Sequence, residues 1–532
     1  MQLISEFIVK QLEFFDEKYV IPVSIFIQVM ILGPLIIYIF IKFLSYKTYK
    51  KLYTKSKKIR NQFISEAMFE PKISQLPIII GFFHPYCNGG GGGERVLWTA
   101  IKAIQNKYAH VICVVYTGDI NSEKNNILKK TKTIFGIELD EKRIQFIYLH
   151  KRYYVSSKQW PHFTLLGQSI GSLILAYEAI NQCVPNIFID TMGYAFTYPL
   201  VSSCLDIPIV AYVHYPTIST DMLSKVLYKK FLKYIYWKLF ALAYSFCGHY
   251  ADLIITNSTW TQNHIESLWK KKEIITIYPP CNTKDLYDPY MDEKNKHEKL
   301  IIYLAQFRKE KNHELLLESF KTMLNSYPET KNSNVKLILI GSTRKNDELY
   351  INNLKEITKH LNINNYVSFM HNLPWEEVVI WLKKSWIGVN MMWNEHFGIS
   401  IVEYMAAAVI PVVHDSGGPK LDIVIDYEGK PTGYHATTPL SFAKAFKDIF
   451  SMSQEDRDSM RKRARKSSIR FSEEAFNKQW LNVMDILLKH EQTHRRERIY
   501  RTKFKEGLTK CKTKFCITEN KDEVIQYKHN AY

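Results

Sequence analysis

Short apolar runs alternate with helix-length segments along most of this chain. Ile78–Phe83, His110–Tyr116, Ile144–Leu149, Ile187–Asp190, Pro208–Val213 and Leu253–Thr256 are rich in β-branched and aromatic residues and read as buried strands. The intervening segments are long enough for crossover helices, which predicts a doubly wound parallel α/β sheet. A second series runs through Leu300–Leu304, Val335–Ile340, Tyr366–Met370, Ile387–Met391 and Val409–Val413. Tyr278-Pro279-Pro280-Cys281 and the charged run Asp292–Lys299 separate the two series. The expected organisation is therefore two facing Rossmann-like domains, residues 76–280 and 281–488, with a cleft at the carboxyl ends of their strands.

Ahead of the first strand, Val20–Ile41 is uncharged and mostly apolar. A helix of that length reaches about 33 Å, enough to cross a bilayer core. Residues 20–41 are expected to be a transmembrane helix, with 1–19 lumenal and 42–75 a basic cytosolic linker. Lys42, Lys47, Lys50, Lys51 and further cations follow the apolar run, and the positive-inside rule places the rest of the chain in the cytosol. The Asn257-Ser-Thr sequon would then remain unglycosylated. Leu223–Phe246 mixes five lysines with aromatic and aliphatic bulk. It reads either as an interfacial helix on an anionic membrane or as a surface helix whose apolar stripe is core. Ser472–Leu488 is an expected helix with Ser472 as its N-cap. Residues 489–532 are a basic tail without apolar period, expected to be loosely ordered.

The formal charge of +19 favours anionic partners, and the chain lacks zinc-finger spacing and any compact basic-aromatic nucleic-acid motif, so no nucleic-acid partner is expected. The eight cysteines are scattered, as in a reducing compartment.

Candidate chemistry concentrates at strand ends. Trp386–Asp415 reads as strand, loop, helix and strand, with Glu395 in the loop, Gly398 permitting close backbone approach, Ile399 opening the helix and Glu403 one turn inside it. The free N–H groups of such a helix start suit an anionic ligand. Gly89, Gly90, Gly91, Gly92 and Gly93 lie between the first strand and a helix, where a close-approaching backbone suits phosphate or sugar; a flexible surface loop is the plain alternative. Gln306-Phe-Arg308-Lys-Glu-Lys311 places two cations after a strand, and Arg and Lys both bind phosphate. His214 and Asp190 also sit at strand ends, each open to a structural or a functional reading. Gly417 and Gly418 make a further turn beside the same edge.

The pair Glu395 and Glu403, spaced around Phe-Gly and followed by an Ala-rich helix, resembles the donor-site signature of retaining GT-B glycosyltransferases. HPYCNGGGGGERVLW (84–98), YVHYPTISTDML (212–223), NEHFGISIVEYMAA (394–407) and SGGPKLDI (416–423) resemble the eukaryotic asparagine-linked glycosylation α-1,2-mannosyltransferases. The resemblance covers about residues 78–488. It implies a GT-B fold and transfer of mannose from GDP-mannose to dolichol-diphosphate-linked Man3GlcNAc2. The fourth and fifth mannoses would be added on the cytosolic face of the endoplasmic reticulum membrane. It further implies that Glu395 contacts hydroxyls of the donor mannose and Glu403 the ribose. Arg308 and Lys311 would neutralise the diphosphate, although their offset of three departs from the five more usual in wider GT-B relatives. Gly398 and Ile399 would offer backbone donors, His214 would lie near the transferred sugar, and Gly89–Gly93 would close over donor and acceptor. No Asp-x-Asp cluster calls for a divalent ion, so neither metal nor cofactor is expected. Other mannosyltransferases of the same pathway are candidate partners. Two alternatives stay open: another membrane-bound GT-B transferase with a different donor or lipid acceptor, and a non-catalytic scaffold of the glycosylation machinery.

Overall fold

The computed structural model describes residues 47–68, 77–219, 222, 231–287, 299–330, 334–343 and 347–493. The expected transmembrane segment 20–41, residues 223–230 of the expected interfacial helix and the tail beyond 493 lie outside the described residues. Among the described residues, no helix is long and apolar enough to cross a membrane.

The chain divides into two compact units, up to Asn477 and from Lys478; the described part of the second, 478–493, is helical. The first unit contains two parallel sheets. One is built from β1 (Ile78–Phe83), β2 (Val111–Thr117), β3 (Ile144–Tyr148), β4 (Ile187–Asp190), β5 (Ile209–Val213), β6 (Leu253–Thr256) and β7 (Ile274–Thr276). Their spatial order is β3-β2-β1-β4-β5-β6-β7. The other uses β8 (Lys299–Leu304), β9 (Val335–Gly341), β10 (Val367–His371), β11 (Ile387–Asn390), β12 (Ile410–His414) and β13 (Tyr434–Ala436), in the order β10-β9-β8-β11-β12-β13. In each sheet the direction of winding reverses beside the first strand, between β1 and β4 and between β8 and β11. Those reversals open the crevices in which doubly wound folds bind ligands.

The strands are apolar on both faces because helices cover both, and all of β1 and β2 is buried. Phe83, Tyr116 and Phe188 pack within the first core, and Tyr303, Phe320 and Phe446 within the second. Residues 47–66, inside the stretch expected as a linker, form a helix that joins the first core through Leu52 and Phe63. Arg60 of that helix is buried and donates to Val184 O and to Asn186 Oδ1 at 2.9 Å. Further helices include α1 (Gly92–Lys107), α2 (Phe231–Gly248), α3 (Thr259–Trp269) and α4 (Ile399–Ala406), of which α1 and α4 line the cleft.

The described part of Leu223–Phe246 has a buried face and an exposed one. Phe240, Tyr244 and Cys247 of α2 are buried against the first sheet, whereas Leu239, Leu242 and Phe246 are each about 60% exposed beside Lys238. The two halves of the first unit are tied at Asp422, which accepts from Thr259 N–H at 2.9 Å, Thr259 Oγ1 at 2.5 Å and Tyr278 OH at 3.0 Å.

Candidate active site

Helix α4 begins after a left-handed Gly398 (φ +116°), where a Cβ would stand 2.7 Å from Ile401 Cδ1. The positive φ disfavours any side chain there, and a Cβ would also require the Ile401 methyl to shift. The first N–H groups of any helix have no intrahelical acceptor and α4 has no capping side chain, so the amides of Ile399 and Ser400, two residues that line the cleft, are unclaimed by the helix. Gly417 (φ +68°) and Gly418 lie under the loop that precedes α4. A Cβ on Gly417 would meet Glu395 O at 2.3 Å, and Gly418 N–H donates to that oxygen at 2.8 Å. These two glycines therefore support the Glu395 loop from below, and neither is among the residues lining the cleft.

Glu395 is held by two neighbours. Lys311 Nζ donates to its Oε2 at 2.5 Å and Asn390 Nδ2 to the same oxygen at 3.2 Å. Burial pushes this carboxyl up, but the Lys311 charge and the two hydrogen bonds outweigh it and leave the group below its ordinary value. Glu403, one turn into α4, stands in the opposite condition. Burial raises it to about 7, against which the positive charge of Arg95 acts. One cleft thus contains a firmly ionised carboxylate and a carboxyl poised near neutrality.

The first domain contributes the facing wall. Gly91 N–H donates to Glu94 Oε2 at 2.6 Å, and a Cβ on Gly89 would meet Glu94 Oε1 at 2.6 Å, so the glycine loop wraps its own first-turn carboxylate. Gly92 comes so close to α4 that a Cβ would lie 2.7 Å from Ile399 Cδ1. Behind Gly93 sits His214, whose Nε2 is buried and, among the described residues, unpaired. Burial and neighbouring His84 pull its pKa down to about 4, so the ring is neutral at physiological pH. His84 bonds Thr191 Oγ1 at 2.7 Å and lies 3.8 Å from Glu94.

Two adjoining cavities fill the cleft. One, about 360 Å³, is lined by Gly92, Gly93, His214, Lys311, Glu395, Gly398 and neighbours. The other, about 430 Å³, is lined by Gly90, Gly91, Gly92, Arg95, Trp375, Glu403 and neighbours. Gly92, Gln306, Ile399 and Ser400 belong to both. Because the two share the start of α4, they suit one ligand that spans both with an anionic middle.

Glu395, Glu403, Lys311, His214, Gly398, Ile399 and Gly90–Gly93 are thus brought together, while Gly89, Gly417 and Gly418 shape the loops behind them. Arg308 stands apart: it is not among the lining residues and its guanidinium faces Glu310 at 3.8 Å. Asp190 is structural, fully buried and accepting from Tyr198 OH at 2.7 Å and Met192 N–H at 2.8 Å. Asn257 of the sequon is buried, with its Oδ1 accepting from Thr261 Oγ1 at 2.7 Å. Sequence reasoning missed His396, which stacks on Tyr215 (5.0 Å, 11°) and packs against Trp260 (5.1 Å) across the cleft. It missed Asn390 too, although an Asn ending an apolar strand was a signal.

Residues 77–269 match the family described as ALG11 mannosyltransferase N-terminus, and residues 291–467 match Glycosyl transferases group 1. The chain is 44% identical over 459 residues to a human protein named GDP-Man:Man(3)GlcNAc(2)-PP-Dol alpha-1,2-mannosyltransferase, covering 83% of this chain and 90% of that one. Proteins of the same name from Neurospora crassa (44% identity, 76% of this chain and 79% of that one) and Dictyostelium discoideum (42%, 77% and 85%) are similar over nearly the same span. The chain belongs to this mannosyltransferase family. It is a glycosyltransferase with a GT-B-like fold of two parallel sheets. Solved structures with that fold include Anabaena Alr3699/HepE in complex with UDP and glucose (TM-score 0.53, 15% identity, 77% of this chain and 99% of that chain). Sucrose-phosphate synthase from Thermosynechococcus elongatus is another (TM-score 0.57, 16% identity, 78% and 100%). At such identities the likeness concerns fold alone.

Proposed function

We propose that this mannosyltransferase moves mannose from GDP-mannose, in α-1,2 linkage, to Man3GlcNAc2 carried on dolichol diphosphate, adding the fourth and fifth mannoses. The observation that carries the reading is the Glu395–Lys311 pair beside the free amides of α4, in a chain 44% identical to proteins bearing that activity in their name. In this reading the mannose lies in the cavity of Glu395 and His214, and the nucleotide extends toward Glu403. The bond from the sugar C1 to the diphosphate oxygen breaks through an oxocarbenium-like state. Lys311 and the amides of Ile399 and Ser400 stabilise charge on the departing diphosphate. The acceptor 2-hydroxyl oxygen bonds to C1 on the same face, and its proton passes to the leaving diphosphate. Neutral His214 and anionic Glu395 hold the sugar hydroxyls by hydrogen bonds. Charge neutralisation is thereby assigned to protein groups, with no metal or cofactor required.

We place the enzyme at the endoplasmic reticulum membrane, anchored by residues 20–41 with both catalytic domains in the cytosol. The exposed Leu239, Leu242 and Phe246 beside Lys238 support contact of α2 with an anionic bilayer, and assembly with other mannosyltransferases of the pathway fits that placement. The test is transfer of radiolabelled mannose from GDP-mannose to lipid-linked Man3GlcNAc2 by the purified full chain in detergent. Sequential products bearing one and then two added α-1,2 mannoses are expected. Transfer from UDP-sugars alone, or to other acceptors alone, would reject the assignment.

A further inference from the structure

Helices α1 and α4 meet end to end across the cleft. Their contact is Gly92 against Ile399, close enough that a β-carbon on the glycine would overlap the isoleucine methyl. Three residues beyond Gly92 stands Arg95, and four residues beyond Ile399 stands Glu403, so each helix presents a charged side chain one turn inside the contact. Both line the same cavity of about 430 Å³. The positive charge of Arg95 is felt at Glu403 and at Cys281 beside it.

Arg95 is poorly explained as a structural residue. Among the described residues its guanidinium makes no hydrogen bond or ion pair, and its Nε is buried without a partner. Its neighbour is the Phe135 ring, 6.0 Å from the guanidinium carbon. A buried donor left unpaired costs stability, so its retention beside a cavity calls for a ligand that pairs it. Residue types narrow that ligand: guanidinium binds phosphate or sugar oxygens in a planar fork, and Glu403 accepts from hydroxyls.

We infer that Arg95 is a donor-binding residue of the first domain, its guanidinium contacting the ribose-diphosphate part of the nucleotide that lies against Glu403 of the second. The inference rests on the nucleotide-sugar reading of this cleft and extends it. The nucleotide is gripped from both sides, and the glycine loop serves to bring α1 near enough for Arg95 to reach. Because the contact is made with the nucleotide, away from the reacting carbon, it contributes to donor affinity more than to turnover.

The test uses the full chain in detergent with GDP alone as the probe, measuring Kd for wild type, Arg95→Ala, Arg95→Lys, Glu403→Gln and Arg95→Ala/Glu403→Gln, alongside donor KM and kcat. Arg95→Ala is expected to raise both the GDP Kd and the donor KM by about 10- to 100-fold with kcat within a few-fold, the size of a lost charged hydrogen bond. Arg95→Lys should recover part of that loss, and the double variant should lose less than the product of the single losses. A folded Arg95→Ala protein with unchanged Kd and KM overturns the inference, as does a loss confined to kcat. If Arg95→Ala does not fold, the Arg95→Lys KM-to-kcat split decides. If wild type binds UDP and not GDP, the donor assignment falls, and the same Arg95 ratio is then required with UDP. If it binds neither, both fall.

Discussion

Removing the positive partner of Glu395 gives the sharpest physical test of the site. Lys311→Met keeps the aliphatic length and deletes the charge that sits 2.5 Å from the Glu395 carboxylate. Lys311 is only 21% exposed and Glu395 13%, so solvent screening is limited. At an effective dielectric constant near 20, unit charges at that distance attract by about 7 kcal/mol before desolvation is counted. Breaking one side of such a partly buried pair costs about 3–5 kcal/mol, because a buried charge is left with few partners. Burial then dominates at Glu395, opposed by the Asn390 bond, and its carboxyl rises above the ordinary carboxylate range. The sign with pH follows. In the wild type the Glu395 pKa is depressed, so its stabilisation is complete above the unfolded carboxylate value and lost as pH falls through the folded value. The stability gap between wild type and Lys311→Met is therefore expected to be full at pH 7 and to shrink toward about pH 4. The assay is urea unfolding at several pH values beside the transfer rate. Lys311→Met/Glu395→Gln, which removes both charges, should regain most of the lost stability and none of the activity. A single variant as stable as wild type, with a double variant no more stable than it, would refute the reasoning.

Three further outcomes are expected. Glu403, raised from 4.5 to about 7, contributes stability that is present below the unfolded value and lost as pH rises through about 7. Glu403→Gln should therefore unfold less readily than wild type at pH 8, by up to about 3 kcal/mol, and about equally at pH 4 in urea titrations. His214, neutral with a pKa of about 4, favours folding above its unfolded value near 6.5 and loses that advantage as pH falls through about 4, so His214→Asn should flatten acid destabilisation between these values. It should also lower kcat by about 10- to 100-fold without moving the pH profile of wild-type turnover above pH 6. Gly417→Ala, with a positive φ and backbone 2.3 Å from the new Cβ, should displace the Glu395 loop and cut transfer at least about 10-fold; Gly93→Ala, whose Cβ would meet His214 at an ordinary 3.5 Å, should be far milder in the same assay.

Among the described residues, eleven of the thirteen strands were legible, because a parallel strand covered on both faces must be an apolar run. The strands that escaped, Ile274–Thr276 and Tyr434–Ala436, are three-residue edge strands too short to leave a pattern. Glu395, Glu403 and Gly398 were legible for a related reason: a strand, a glycine and a helix start fix where those side chains must stand. Spacing along a loop does not say which way a long side chain turns, and Arg308 turns to Glu310 and stands outside the cavity linings. The His396 stack on Tyr215 and Trp260 joins residues far apart in sequence, and no local pattern announces such a contact. Residues 47–66 were hidden by their lysines, since Leu52 and Phe63 are sparse markers of a helix that buries a narrow stripe.

The central claim is that sugar is transferred in the cleft where Lys311 meets Glu395. The most direct measurement is the initial rate of mannose transfer by wild type and Glu395→Ala at saturating donor, with the GDP Kd measured on the same preparations. The account predicts a rate loss of about 10²-fold or more with a GDP Kd within a few-fold of wild type, because it assigns Glu395 to the sugar and not to the nucleotide. A folded Glu395→Ala protein that transfers mannose at the wild-type rate would contradict it.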